Sequence, residues 1–329
     1  MVKSDLDCLQ TKLQLGISKC LLGEKVRYDG GDKRLSFAVN DLSPFANFHS
    51  ICPESAIGLP TPRPTIGLYQ TDQQSVMMRF NDQQIESDID HQMTLFCQQI
   101  MSDLSNLCGY IVCANSPSCG LDNAKVYDNE REHLITLADG RFTACLRSYY
   151  PWLPIEDNLR LANPDIQNHF VIRLFALQRL NDLNRHGLTR HALLTFHSRY
   201  KLLLLAHSQP LYRQIGPFVA KLDQFDDLQA FFVQYRERLM TLLSTPATKE
   251  NHTNVLMHMQ GYFNRYLTGQ QKKSLTDTIL AYRRGELPLS SPMSCLKTCL
   301  EQYPNSYLSD QFYFTHYPKA LPSIDNGVT

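Results

Sequence analysis

The chain has no apolar run approaching the ~20 residues that a membrane-spanning helix needs; the longest compact one is Leu202 to Ala206. Its opening stretch, Met1 to Asp7, lacks the apolar core of a secretory signal. Both absences point to a cytoplasmic protein with no membrane partner. In that compartment thiols stay reduced, so ten cysteines in 329 residues do not read as a disulfide framework. No CxxC pair occurs among Cys20, Cys52 and Cys119, which argues against a structural zinc site. It also argues against an electron carrier whose clustered cysteines saturate every iron. Net charge is absent too, at zero overall, but this hides an asymmetry. Residues 1–150 carry 13 Lys and Arg against 18 Asp and Glu; residues 151–329 carry 19 against 14, with 8 of the 11 histidines. The swing from −5 to +5 places the positive potential in the second half, as a polyanionic partner would require.

The length allows two domains, and 43% hydrophobic residues can build a core in each. Three short apolar runs end in a cysteine beside small or polar residues. Leu13 to Ser18 leads into Lys19-Cys20-Leu21-Leu22-Gly23, Phe48 to Ile51 into Cys52-Pro53-Glu54, and Tyr110 to Cys113 into Asn115-Ser116-Pro117-Ser118-Cys119-Gly120. Buried parallel strands read as such runs, and ligands of open α/β sheets sit at their carboxyl ends. From Ser87 to Leu107, Ile89, Met93, Phe96, Cys97, Ile100, Leu104 and Leu107 recur at helical spacing. Strand, helix and the Tyr110 strand make a βαβ unit, which predicts a mainly parallel sheet. Cys97, Cys108 and Cys113 lie in apolar surroundings and read as core.

The polar loop Val26 to Arg34, with Gly30 and Gly31, is suited to fold over a small ligand. The three prolines between Ile57 and Leu68 enforce an extended path, with Arg63 as a candidate anion or carbonyl contact. Ser18, Lys33, Arg34, Arg63 and Asn115 are the candidate substrate contacts of these turns. Arg147 to Glu156, with two prolines, reads as the boundary between a domain of residues 1–155 and an all-α domain of residues 156–329. Helical spacing there predicts helices over 168–183, 191–207, 229–243, 255–267 and 274–284. Arg190, His197, Lys201 and Ser208 fall on one face, as do Asn251, His258, Tyr262 and Arg265. A solvated outer face explains either stripe. A groove for a nucleic-acid backbone also explains them, with Arg190, His197, Lys201, Arg213, His258 and Arg265 on the phosphates and interleaved tyrosines stacking on bases.

Three thiols on three strand ends can hold a 4Fe-4S cluster by three corners and leave one iron open as a Lewis acid. A three-ligand catalytic zinc and three unconnected core cysteines remain as alternatives on spacing alone.

Ser18-Lys19-Cys20-Leu21-Leu22-Gly23, Val26-Arg27-Tyr28-Asp29-Gly30-Gly31, Cys52-Pro53-Glu54 and Ser116-Pro117-Ser118-Cys119-Gly120, in that order, resemble the thiouracil desulfidase family over about residues 10–150. The sequence departs from the family pattern at Asp32, where a histidine is common, and at Cys113-Ala114, where a lysine is often found. The helical remainder is similar to a module fused to this domain in many bacterial proteins. The pair resembles desulfidases that take sulfur from 4-thiouridine in transfer RNA. The resemblance implies a cluster held by Cys20, Cys52 and Cys119 with one open iron, and a non-redox hydrolysis of a thiocarbonyl. It implies Glu54 as general base, with Ser116 and Ser118 orienting base or water. The partners expected are transfer RNA or a thiolated nucleoside. A desulfidase of free thiouracil with a structural helical half, and a cluster-bearing RNA-binding protein without turnover, are the competing readings.

Overall fold

The computed structural model describes residues 12–71, 75–82, 85, 88–130 and 132–315. They form two compact units, Met1–Gln178 and Arg179–Thr329. The first contains β1 (Leu13–Ser18), β2 (Ala46–Ile51), α1 (Pro53–Ala56), β3 (Ile66–Gln70), β4 (Val76–Phe80), α2 (Ile89–Ile100), β5 (Gly109–Val112), β6 (Ala124–Tyr127), β7 (Leu134–Ala138), α3 (Arg141–Tyr149) and β8 (Ile155–Asp157). A long helix, α4 (Pro164–Gly187), runs through the point at which the units divide. The segment 147–156 therefore holds the end of α3 and the start of a strand.

One sheet has the order β2-β1-β5-β8 and is parallel throughout. β5 is buried throughout and apolar without alternation, whereas β1 alternates Leu13, Leu15 and Ile17 with Gln14, Gly16 and Ser18 and is buried except at Gln14. Gly16 stands opposite Tyr110 across β1 and β5. A Cβ on Gly16 would lie 2.1 Å from Tyr110 Cδ2, so glycine makes room for that ring. Asp88 caps α2 by accepting from His91 N, and Ile89, Met93 and Cys97 form its buried face. The second sheet, β4-β3-β6-β7, is mixed and was not anticipated from the sequence. Its outer strand β7 exposes Leu134, Ile135 and Leu137, so it carries no alternating pattern to read.

The second unit continues with α5 (Arg190–His207), α6 (Gln209–Val219), α7 (Leu228–Ser244), α8 (Lys249–Tyr262), α9 (Gly269–Arg283), α10 (Ser290–Gln302) and α11 (Ser306–Ser309). Its core is aromatic: Phe196 stacks on Tyr200 at 4.5 Å and Phe218 on Phe231 at 4.7 Å. The chain is thus an α/β domain with a parallel sheet followed by a helical one. No helix among the described residues is long and apolar enough to cross a membrane.

Candidate active site

The parallel registers set Ser18 beside Ile51 and Val112 beside Asp157, so the turns that follow β1, β2 and β5 share one edge. A cavity of about 360 Å³ opens there, walled by Cys20, Cys52, Cys113, Cys119, Glu54 and Arg63. Ser18, Lys33, Asn115 and Ser116 also line it, together with Arg27 and Tyr28 from the Gly-rich loop.

The turn 115–120 is held by its own atoms. Asn115 takes a positive φ of 62°, which asparagine tolerates. Ser116 Oγ accepts from Ser118 N at 3.2 Å and Cys119 N at 3.1 Å, and Gly120 N donates to Ser116 O at 2.8 Å. The first turn of α3 then satisfies the carbonyls: Arg141 N donates to Pro117 O at 3.0 Å and Phe142 N to Ser118 O at 2.9 Å. Thr143 Oγ1 donates to Cys119 O at 2.9 Å. Gly140 is required at this junction, since a Cβ there would stand 2.4 Å from Ser118 C.

Glu54 begins α1 and is fixed from both sides. Ser118 Oγ donates to its Oε1 at 2.7 Å, while Arg63 Nε and Nη2 donate to Oε2 at 2.8 and 2.5 Å. The remaining Arg63 N–H groups reach Val26 O, Pro60 O and Thr61 Oγ1. Arg63 is thus wholly engaged in holding Glu54 and the loop backbone, and it is not a free anion contact.

The four thiols act on one another. Cys20 hydrogen-bonds Cys113, which, with burial, raises the Cys20 pKa. The same bond lowers Cys113 to about 7, helped by the charges of Lys33 and Arg27. Burial pushes Cys119 up, and Ser18 opposes this with a hydrogen bond. Ser55 Oγ donates to Cys52 Sγ at 3.3 Å. Among the described residues no three His, Cys, Asp or Glu converge tightly enough for one metal ion. A cluster takes each thiolate on its own iron. The thiols of Cys20, Cys52 and Cys119 are soft donors that line one cavity, a donor set that fits a 4Fe-4S cluster. Among the described residues the buried Tyr110 hydroxyl has no hydrogen-bond partner.

Comparison with known proteins matches residues 15–158 to a family described as 2-thiouracil desulfurase and residues 201–318 to a protein of unknown function, DUF1722. The uncharacterized protein YbgA of Escherichia coli (strain K12) is 49% identical over 158 residues, 48% of this chain and 94% of that protein. The chain belongs to one family with YbgA, and within it residues 15–158 match the 2-thiouracil desulfurase model and residues 201–318 the DUF1722 model. A solved structure of a 4Fe-4S-dependent thiouracil desulfidase, TudS, is similar at 26% identity, covering 46% of this chain and 94% of that one, with a TM-score of 0.33.

The site gathers most of the residues expected from sequence and leaves some out. Arg34 does not line the cavity; it is exposed beside Gly23, with its N–H on Asp32 Oδ1. Cys113, read as core, faces the cavity, a position that only its place one step beyond the strand end could have signalled. Arg27, Thr65 and Asn81 also line it, brought in by loops and by the unforeseen second sheet. In the helical unit a hollow of about 520 Å³ brings together His197, Lys201 and Arg213, with Tyr212. His197 is not a phosphate contact: it is 4% exposed and meets Tyr235 Oη at 3.1 Å. Burial and the nearby Lys201 lower its pKa to about 4, so it brings no charge. Arg190, His258 and Arg265 lie outside that hollow. Arg190 donates to Phe225 O, and Arg265, beyond the end of α8, sits over the Tyr266 ring at 4.8 Å.

Proposed function

We propose that the protein hydrolyses the thiocarbonyl of a thiolated uracil, 4-thiouridine in transfer RNA, using a 4Fe-4S cluster held by Cys20, Cys52 and Cys119. The observation that carries the reading is that these three thiols share one cavity with a carboxylate locked in place by Arg63 and Ser118. The reaction exchanges sulfur for oxygen: carbon–sulfur is broken, carbon–oxygen is formed from water, and hydrogen sulfide leaves. No electrons are needed. When bound, the cluster supplies a soft Lewis acid that suits a thiocarbonyl sulfur.

The chain's own residues do the rest. Glu54 takes the proton of the attacking water at Oε1, which accepts one bond from Ser118 and has capacity for another. Arg63 balances the carboxylate charge and stops it rotating, so no reorientation accompanies proton transfer. Ser116 acts through its hold on the backbone of the Ser-Pro-Ser-Cys turn. Lys33 and Arg27 place positive charge on the wall of the cavity. The first unit holds 15 Lys and Arg against 21 Asp and Glu, and the second 17 against 11, or −6 and +6. The positive unit, with Lys201, Arg213 and exposed Tyr262 and Tyr266, supports the choice of an RNA substrate.

The test is sulfide release by anaerobically purified protein containing about four iron and four sulfide per chain. Transfer RNA bearing 4-thiouridine should yield sulfide with wild type and none with Cys52→Ala. Release from the free nucleoside but not from transfer RNA would favour the small-molecule desulfidase reading, and a loaded protein inert on both would end the desulfidase reading.

A further inference from the structure

Tyr110 carries a polar group that no part of the proposed reaction uses. It is fully buried on β5, its ring fitted over Gly16 and set edge-on to Phe142 with centroids 5.6 Å apart. Phe142 in turn anchors the thiol turn through its N–H on Ser118 O. The phenol hydroxyl is out of contact with water and donates to nothing among the described residues. Such a group disfavours the folded state by about tenfold or more, whereas phenylalanine of the same shape would be free of that penalty. Burial first, and then the neighbouring Cys119, Cys52 and Cys20, raise the pKa of this hydroxyl and keep its proton in place. These three cysteines are the expected cluster ligands.

The missing partner is therefore an acceptor that arrives with the cofactor. We propose that the Tyr110 O–H donates a hydrogen bond to sulfur of the bound cluster, the Cys119 thiolate first, and so sets the stability and potential of that cluster. This rests on the cluster reading given above. A protonated thiol is a weak acceptor, whereas a ligating thiolate carries charge and accepts strongly. The bond forms only on loading and links cofactor capture to the core strand. Hydrogen bonds to cluster sulfurs draw off electron density and raise the reduction potential. Tyr110 is a positioning residue, since it lies outside the cavity lining and touches no substrate.

The test is Tyr110→Phe in the full chain, compared with wild type both stripped of iron and loaded anaerobically. Iron and acid-labile sulfide are measured first; a wild type that binds neither refutes the cluster reading itself. In the stripped protein the variant should unfold at higher denaturant, because the orphan hydroxyl is gone. In the loaded protein the sign should reverse. Loss of iron to a chelator should be about tenfold faster, and the potential lower by the same tenfold, about 59 mV for one electron. The iron–thiolate bands in resonance Raman should rise in frequency. Equal potentials and equal bands in loaded wild type and variant would overturn the proposal while leaving the cluster reading intact. If Tyr110→Phe does not fold, 3-fluorotyrosine placed at position 110 keeps the ring and strengthens the donor. It should move the bands and the potential in the opposite direction, and an unchanged spectrum refutes the proposal equally.

Discussion

Replacing Arg63 with methionine removes the group that fixes the catalytic carboxylate, and its cost can be worked from the geometry. The Arg63 side chain is 2% exposed and that of Glu54 13%, so solvent screens this pair little. Arg63→Met leaves the Glu54 charge with Ser118 as its remaining hydrogen-bond partner, which should cost about 3–5 kcal/mol. Glu54→Gln leaves the guanidinium with three neutral acceptors, Val26 O, Pro60 O and Thr61 Oγ1, and should cost about 1–3 kcal/mol. The double variant holds neither charge, so its cost should fall about 2 kcal/mol below the sum of the two singles. The single tryptophan, Trp152, lies in the first unit and packs edge-on to Tyr150 at 5.6 Å. Its fluorescence during urea unfolding reports this unit separately from the helical one. Costs that add to within about 0.5 kcal/mol would refute the ion pair as the element that organises the site. Glu54→Gln should keep its iron and lose about 10²–10⁴-fold in turnover, while wild-type turnover would place the base elsewhere.

Cys20→Ala, Cys52→Ala and Cys119→Ala should each abolish iron binding, whereas Cys97→Ala and Cys113→Ser should retain iron near the wild-type level in a colorimetric assay. Gly140→Ala drives a methyl into the Ser118 backbone and should destabilise the first unit by about 1–3 kcal/mol, read by Trp152 unfolding, with parallel loss of iron. His197, with its pKa lowered from 6.5 to about 4, binds its proton more readily in the unfolded chain. The stability it contributes is complete above pH 6.5 and is lost as pH falls towards 4, amounting to about 2 kcal/mol between pH 7 and pH 5. His197→Gln should flatten that dependence for the helical unit, followed by circular dichroism. Lys201→Glu should leave nucleoside turnover unchanged and flatten the slope of log transfer RNA affinity against log salt by about 0.7–0.9; a folded variant with unchanged affinity refutes the role.

The parallel sheet and the convergence of Cys20, Cys52 and Cys119 were legible because short strand-like runs each end in a cysteine beside polar residues, and a chain must turn where strands end. The second sheet was not legible, since β7 shows leucine and isoleucine to solvent and β6 is four residues long. Helix α6 lies outside the stretches where helical spacing predicts a helix, and it contains Pro210, Gly216 and Pro217. Pro210 occupies the first turn, where its missing N–H costs nothing. The polar stripe on α5 failed at His197 for a different reason. Helical spacing states which residues share a face, while only packing decides whether that face meets water or, as here, Tyr235. Arg63 illustrates the same limit, since no pattern in sequence says that a guanidinium will be consumed by a carboxylate nine residues earlier.

Gly140 N donates to Gly120 O at 2.8 Å, so the chain leaves the thiol turn and returns to it at a single point. The described residues from Leu121 to Asp139, including β6 and β7, form an excursion whose two flanking residues are bonded to each other. Asn123 within it still accepts from Asn115 N at 2.8 Å and β6 pairs with β3, so the part that can change length without disturbing the thiol turn is its far end, around β7. It is the natural place for relatives to diverge in what they admit to the site, and for an engineer to graft a new recognition loop onto an unchanged reaction centre.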